Sequence, residues 1–178
     1  MNYLPKLEEV KRIAAGKEYD VLPVSTEILS DFITPIEAVR ILKSNSKHCF
    51  MLESAQADET WGRYTFLGFE PRMDITCIDG NICSVMDTGE EILSNGDPSD
   101  YLRELLKNYR SPRFEYLPSF TGGLVGYFSY DYLCYSEPEV KVDVRDTEAF
   151  KDVDLMLFDK VIAFDNIRQK IILMVNIN

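Results

Sequence analysis

The residues best suited to chemistry lie in Met51-Leu52-Glu53-Ser54-Ala55, where an apolar run delivers a carboxylate and a hydroxyl side by side as it gives way to a polar stretch. Glu53 can hold a ligand's ammonium group while Ser54 hydrogen-bonds a neighbouring polar group. Spacing alone favours a plainer role, a solvated strand end followed by a turn former. A second unusual stretch is Thr121-Gly122-Gly123-Leu124-Val125-Gly126-Tyr127-Phe128-Ser129-Tyr130-Asp131. Its three glycines beside aromatic residues call for close backbone approach, a bulge or a bend, and tight packing explains them more simply than a pocket does.

The usual catalytic signatures are missing: the chain has no GxGxxG, Walker A, HExxH or GxSxG sequence. The single histidine, His48, stands beside Cys49 and Phe50 and reads as a structural residue. Thirty acidic residues show no spacing that singles out a carboxylate dyad. The four cysteines, Cys49, Cys77, Cys83 and Cys134, form no CxxC pair and sit mostly in apolar runs, as buried reduced thiols do. One imidazole and no paired thiols leave a zinc site little to build on. The residues themselves therefore assign no catalytic group, metal ligand or cofactor.

A chain of 178 residues with 46% hydrophobic content can bury one substantial core and fits one domain more easily than two. Its formal net charge of −11, with no local basic cluster, argues against nucleic acid and anionic membranes as partners. No apolar run approaches the roughly 20 residues of a membrane span, and the first residues lack a secretory pattern, so a cytoplasmic location is expected.

The elements that must position Glu53 and Ser54 follow from periodicity. Leu4 to Ala15 reads as a short helix with Pro5 near its start and Gly16 at its end. Asp20 to Leu29, rich in Val, Ile and Leu, suits a strand or an extended connection. Thr34-Pro35-Ile36-Glu37 combines an N-cap, an N1 proline and a glutamate at N3, so a helix should run through Leu42 and stop near Ser44-Asn45-Ser46. Cys49 to Leu52 then reads as a buried strand.

Tyr64 to Asp87 looks like successive strands with a hairpin turn at Asp79-Gly80. Asp97-Pro98 opens a further helix carrying Tyr101, Leu102, Leu105, Leu106 and Tyr109 on one face. Leu124 to Tyr132 reads as an aromatic strand and Ser136 to Thr147 as a charged loop. Two last strands are expected over Leu155 to Phe164 and Lys170 to Ile177. This mixed order predicts an α+β fold of largely antiparallel strands with flanking helices. The abrupt end on an apolar strand suggests a fragment.

Thr34-Pro35-Ile36, Met51-Leu52-Glu53-Ser54, Gly62-Arg63-Tyr64-Thr65-Phe66-Leu67-Gly68 with Pro71, Gly122-Gly123-Leu124-Val125-Gly126-Tyr127 with Tyr130-Asp131, and Phe164-Asp165 occur in that order. Together they resemble the N-terminal region of anthranilate synthase component I and its relatives among chorismate-using enzymes, whose corresponding motifs include LLES and RYSFIG. One such motif would be weak; five in order over most of the chain are specific. Met51 replaces the first leucine of LLES, a volume-conserving change, and Asn166 stands where relatives often carry histidine.

The resemblance implies part of an α/β/β/α sandwich. It also implies a single N-terminal regulatory domain over residues 1–178, without the C-terminal chorismate-binding catalytic portion. In that family the LLES serine and glutamate line a pocket for L-tryptophan, the inhibiting end product, which transfers to Ser54 and Glu53 with Leu52 as apolar wall; Arg63 and Tyr64 border it. The whole enzyme, a lyase, aminates chorismate with ammonia from a glutamine amidotransferase partner and releases pyruvate to give anthranilate, with Mg2+ on the substrate carboxylate. The segment itself is expected to be inactive and to hold no cofactor.

Component I of aminodeoxychorismate synthase shares the scaffold. The stretch from Ala55 to Trp61 followed by Arg63-Tyr64-Thr65-Phe66 looks more like the anthranilate branch. A stand-alone amino-acid-binding module and a purely structural interaction domain are the readings from other classes.

Overall fold

The computed structural model describes residues 2–54, 62–137, 139–140 and 150–178. They form two compact units. The first comprises Met1–Pro71, Tyr109–Gly123 and Phe158–Asn178, and the second comprises Arg72–Asn108 and Leu124–Leu157. The strand pairings whose register is described are all antiparallel, in agreement with the α+β expectation.

The first unit is built on a six-stranded sheet. Its strands are β1 (Tyr3–Leu4), β2 (Leu22–Leu29), β3 (Cys49–Leu52), β4 (Tyr64–Phe69), β10 (Lys160–Asp165) and β11 (Lys170–Ile177), in the order β1-β2-β11-β10-β4-β3. Helices α1 (Leu7–Gly16) and α2 (Pro35–Asn45) accompany it.

The α2 start is a complete capping box: the Glu37 amide donates to the Thr34 hydroxyl at 3.3 Å, and the Thr34 amide donates to the Glu37 carboxylate at 3.2 Å. α1 starts later than its sequence suggests, because Leu4 is taken into β1 and Lys6 becomes the N-cap. Lys17, not Gly16, takes the left-handed conformation that ends it, with φ 51°.

Alternation along the strands gives this sheet two apolar faces. On one, Leu67, Phe164 and Ile171 pack with Ala38 of α2, supported by Ile33, Val39 and Leu42. On the other, Val161, Ala163, Ile172 and Met174 are covered by Tyr64, Phe66, Leu117 and Phe120. Phe50 folds across its register partner Gly68 and meets Phe158 edge to face at 4.8 Å between centroids. That contact anchors β3, yet Met51 and Leu52 stay 39% and 47% exposed. Among the described residues β4 is the single pairing partner of β3, so the buried strand expected there is an edge strand of the sheet.

The second unit carries a five-stranded sheet, ordered β7-β6-β5-β9-β8. Its strands are β5 (Met73–Ile78), β6 (Asn81–Met86), β7 (Glu91–Asn95), β8 (Gly123–Phe128) and β9 (Val153–Phe158). Asp79 and Gly80 both have positive φ, 50° and 73°, as a two-residue hairpin turn matched to strand twist requires. Helix α3 (Pro98–Leu106) is capped by the Asp97 carboxylate, which accepts from the Ser99 amide at 2.7 Å.

Three sequence expectations change here. The single strand expected over Leu155 to Phe164 is two, broken at Asp159, and its halves join different sheets. The aromatic strand stops at Phe128, after which Tyr130–Tyr132 turns into the short helix α4 (Leu133–Ser136). β7 was not expected, because its sequence EILSN is exposed throughout and lacks an apolar period. The Ala55–Trp61 stretch and most of the Ser136–Thr147 loop lie outside the described residues.

Candidate functional site

β3 delivers Glu53 and Ser54 just beyond its last paired residue, Leu52, which stands opposite Phe66 of β4. Both are exposed. Successive register pairs, Tyr64 with Asp165 and Asp165 with Lys170, place the start of β4 and the β10–β11 turn at this same end of the sheet. Leu52, Glu53, Ser54, Arg63 and Tyr64 are therefore gathered at one end, across β3 and β4. An edge strand with an exposed carboxylate, a hydroxyl and a half-exposed leucine can take an ammonium group, a polar atom and an apolar surface.

Arg63 has a different principal task. Its Nε and Nη2 donate to the two oxygens of Asp165 at 3.2 and 2.7 Å. The Asp165 side chain is fully buried. Burial pushes this carboxyl up, but Arg63 and the amides of Arg168 and Ile167, which donate to Oδ1 at 3.0 and 3.2 Å, outweigh it. The net result is a carboxyl below its ordinary range. The same bond raises the Arg63 guanidinium. Arg63 also lies over the Tyr64 ring, 4.8 Å from its centroid. Burial raises the Tyr64 phenol, and the ring helps cover the cluster of Val161, Ala163, Ile172 and Met174.

Asn166 completes this end of the sheet. Its amide donates to the Arg63 carbonyl at 2.9 Å, and its side chain reaches the Thr65 hydroxyl at 3.4 Å. It therefore latches the β10–β11 turn to the start of β4.

The glycine-rich stretch is explained by packing. A Cβ on Gly126 would lie 2.0 Å from the Asp154 carbonyl oxygen of the neighbouring strand, so no other residue fits there. A polar cluster that sequence spacing did not flag sits in the second unit. The Tyr135 hydroxyl donates to Asp152 at 2.7 Å and accepts from the Gly80 amide at 2.7 Å, while the Asp79 amide donates to the same carboxylate oxygen at 2.8 Å. Burial first, then the bond to Asp152, pushes the Tyr135 phenol far up, so it stays a neutral donor that pins α4 to the β5–β6 turn. Its members, 55 and 17 residues from Tyr135, carry no short-range motif.

Among the described residues no three His, Cys, Asp or Glu side chains converge to hold a metal ion, and no helix is long and apolar enough to cross a membrane.

No protein-family model matches the chain. Curated relatives do. Anthranilate synthase component 1 of Acetivibrio thermocellus is 30% identical over 99% of this chain and 35% of its own length. The Pseudomonas aeruginosa protein of that name is 36% identical over 92% of this chain and 33% of its own. The one from Aquifex aeolicus is 35% identical over 96% and 34%. The chain thus spans about a third of the length of these relatives. Among solved structures, anthranilate synthase component I from Streptococcus pneumoniae superposes with a TM-score of 0.50 at 28% identity, covering 81% of this chain and 30% of that one. By sequence and by fold, the chain matches the N-terminal region of anthranilate synthase component I.

Proposed function

We propose that the chain is the regulatory N-terminal portion of an anthranilate synthase component I and carries part of its L-tryptophan feedback site. The observation that carries this reading is the exposed Glu53-Ser54 pair at the end of an edge strand, beside a sheet end fixed by Arg63 and Asp165. Glu53 receives the ammonium group of tryptophan, Ser54 a second polar atom, and Leu52 supplies apolar surface. Tyr64 borders the site, whereas Arg63 borders it mainly by holding its frame. A site completed by the catalytic portion makes tryptophan a bridge that favours the arrangement with poorer turnover, which is inhibition by differential affinity.

The whole enzyme, a cytoplasmic lyase, converts chorismate and ammonia to anthranilate and pyruvate. The ammonia comes from a glutamine amidotransferase, component II. Mg2+ would serve the whole enzyme's reaction on the substrate carboxylate, and no step here runs through it. The chain's own catalytic portion is the proposed neighbour of the sheet groove of about 510 Å3 lined by Val24, Ile162, Leu173 and Val175. Its apolar lining suits a permanent, core-like contact.

The test is to assay a chain extended into the chorismate-binding portion with chorismate, ammonia and Mg2+. Anthranilate formation slowed by L-tryptophan supports the reading, and this chain alone should form none. Aminodeoxychorismate without anthranilate would move the assignment to the folate branch.

A further inference from the structure

A second concave surface in the first unit lies away from Glu53 and Ser54. It is a pocket of about 300 Å3 whose lining includes Leu4, Ser25, Glu27, Tyr116, Lys170 and Ile172. Leu4 stands opposite Ser25, Glu27 opposite Ile172 and Leu29 opposite Lys170, so alternation brings these strand residues to one face of the sheet. Between β3, which leads to Glu53 and Ser54, and β2, which carries Glu27, lie four strand spacings, about 19 Å at ~4.8 Å each, so a small ligand held at Glu27 does not reach Glu53 or Ser54.

The charge in this pocket is unusual for a chain of net charge −11. Lys170 Nζ, in the lining, bonds one Glu27 oxygen, and Arg168 Nη1, from outside the lining, reaches the other at 3.3 Å. Two cations against one carboxylate leave a positive charge in excess, with hydrogen-bond donors on each cation still available. Further charged groups around it are Lys6, bonded to Asn2 at the rim, Glu9, whose charge helps raise the Tyr116 phenol, and the mutually neutralising Arg63–Asp165 pair, with Asp165 opposite Lys170.

Arg168 and Lys170 do not drift, because the Asp165 carboxylate accepts from the Ile167 and Arg168 amides and so fixes the turn that presents them. The rest is apolar. Ile172 is 1% exposed and forms the floor, Leu4 stands to one side, and Tyr116 forms a wall steadied by stacking on Phe114 at 5.1 Å.

We propose that this pocket is a binding site for a small monocarboxylate with a single-ring body, separate from the tryptophan site. The carboxylate engages the donors of Lys170, with Arg168 adding its charge from beside Glu27, and the ring lies on Ile172 between Leu4 and Tyr116. A volume of about 300 Å3 is at the small end of ligand pockets and suits one ring rather than a dinucleotide or peptide.

The test is titration of the 15N-labelled chain with benzoate, and with uncharged benzamide as its isostere, followed by amide chemical shifts. Saturable shifts confined to Ser25, Glu27, Leu117, Lys170 and Ile172 are expected with benzoate and not with benzamide. Lys170→Gln should weaken benzoate by about fivefold or more, the loss of one charged hydrogen bond, and Lys170→Arg should retain it. Should Lys170→Gln disturb the spectrum of the free chain, Arg168→Gln is read in the same way. Ser54→Ala should leave benzoate binding unchanged. No saturable shift, equal response to benzamide, or indifference to loss of both cations overturns the site; sensitivity to Ser54→Ala overturns its separateness.

Discussion

Arg63 and Asp165 are 102 residues apart in sequence and joined by a two-pronged ion pair whose carboxylate is fully buried. The bond ties the start of β4 to the β10–β11 turn. Removing one partner strands the other. Arg63→Ala should therefore cost about 3 kcal/mol, toward the lower end of the range for a broken buried pair because two backbone amides still serve Asp165. Urea unfolding followed by far-UV circular dichroism checks this. A loss below about 0.5 kcal/mol would mean the pair contributes no more than a surface contact.

The same pair sets a pH dependence. The Asp165 carboxyl lies below its ordinary value in the folded chain, so its contribution is fully present above the unfolded value of about 3.9 and fades as pH falls through the lower folded value. The difference in unfolding midpoint between wild type and Asp165→Asn should stay constant from about pH 8 to 5 and narrow below about pH 4. A difference that widens in acid would have the wrong sign.

How much of this was legible beforehand depends on range. Thr34, Glu37, Asp79, Gly80 and Asp97 act on neighbours within a few residues, and each does in the structure what its local sequence proposes. The break at Asp159 was hidden because Val153–Phe158 and Lys160–Asp165 are both apolar runs, and a change of sheet leaves no local signature. Asp165 reads in sequence as a strand-end acid; its pairing across 102 residues is what makes it a frame residue. Glu53 and Ser54 were legible by their position at a strand end, while the edge position of that strand depended on where β3 falls in the sheet order.

Close packing at Gly126 and open space at Gly16 predict opposite outcomes. Gly126→Ala would drive a methyl group into the Asp154 carbonyl and should destabilise by about 2 kcal/mol or more. Gly16→Ala, at the last turn of α1 with nothing near its Cβ, should stabilise by up to about 0.5–1 kcal/mol. Thermal unfolding of the two variants beside wild type decides both, and equal shifts of one sign would contradict the packing account.

The Tyr135 hydroxyl holds α4 to the β5–β6 turn through Asp152 and Gly80. Tyr135→Phe leaves a carboxylate oxygen and an amide short of a partner and should cost about 1–3 kcal/mol. Hydrogen exchange should then show faster opening at Gly80 than in wild type, with Leu67 and Ile172 in the first unit unchanged.

The central claim is met most directly by calorimetry with L-tryptophan, on this chain and on one extended into the chorismate-binding portion, each with and without Ser54→Ala. The account predicts binding by the extended chain, weakened by Ser54→Ala by more than the roughly 1 kcal/mol of one ordinary hydrogen bond, and weaker or no binding by this chain alone. Absence of binding by the extended chain, or binding indifferent to Ser54→Ala, would contradict the feedback-site assignment while leaving the match to anthranilate synthase component I in place.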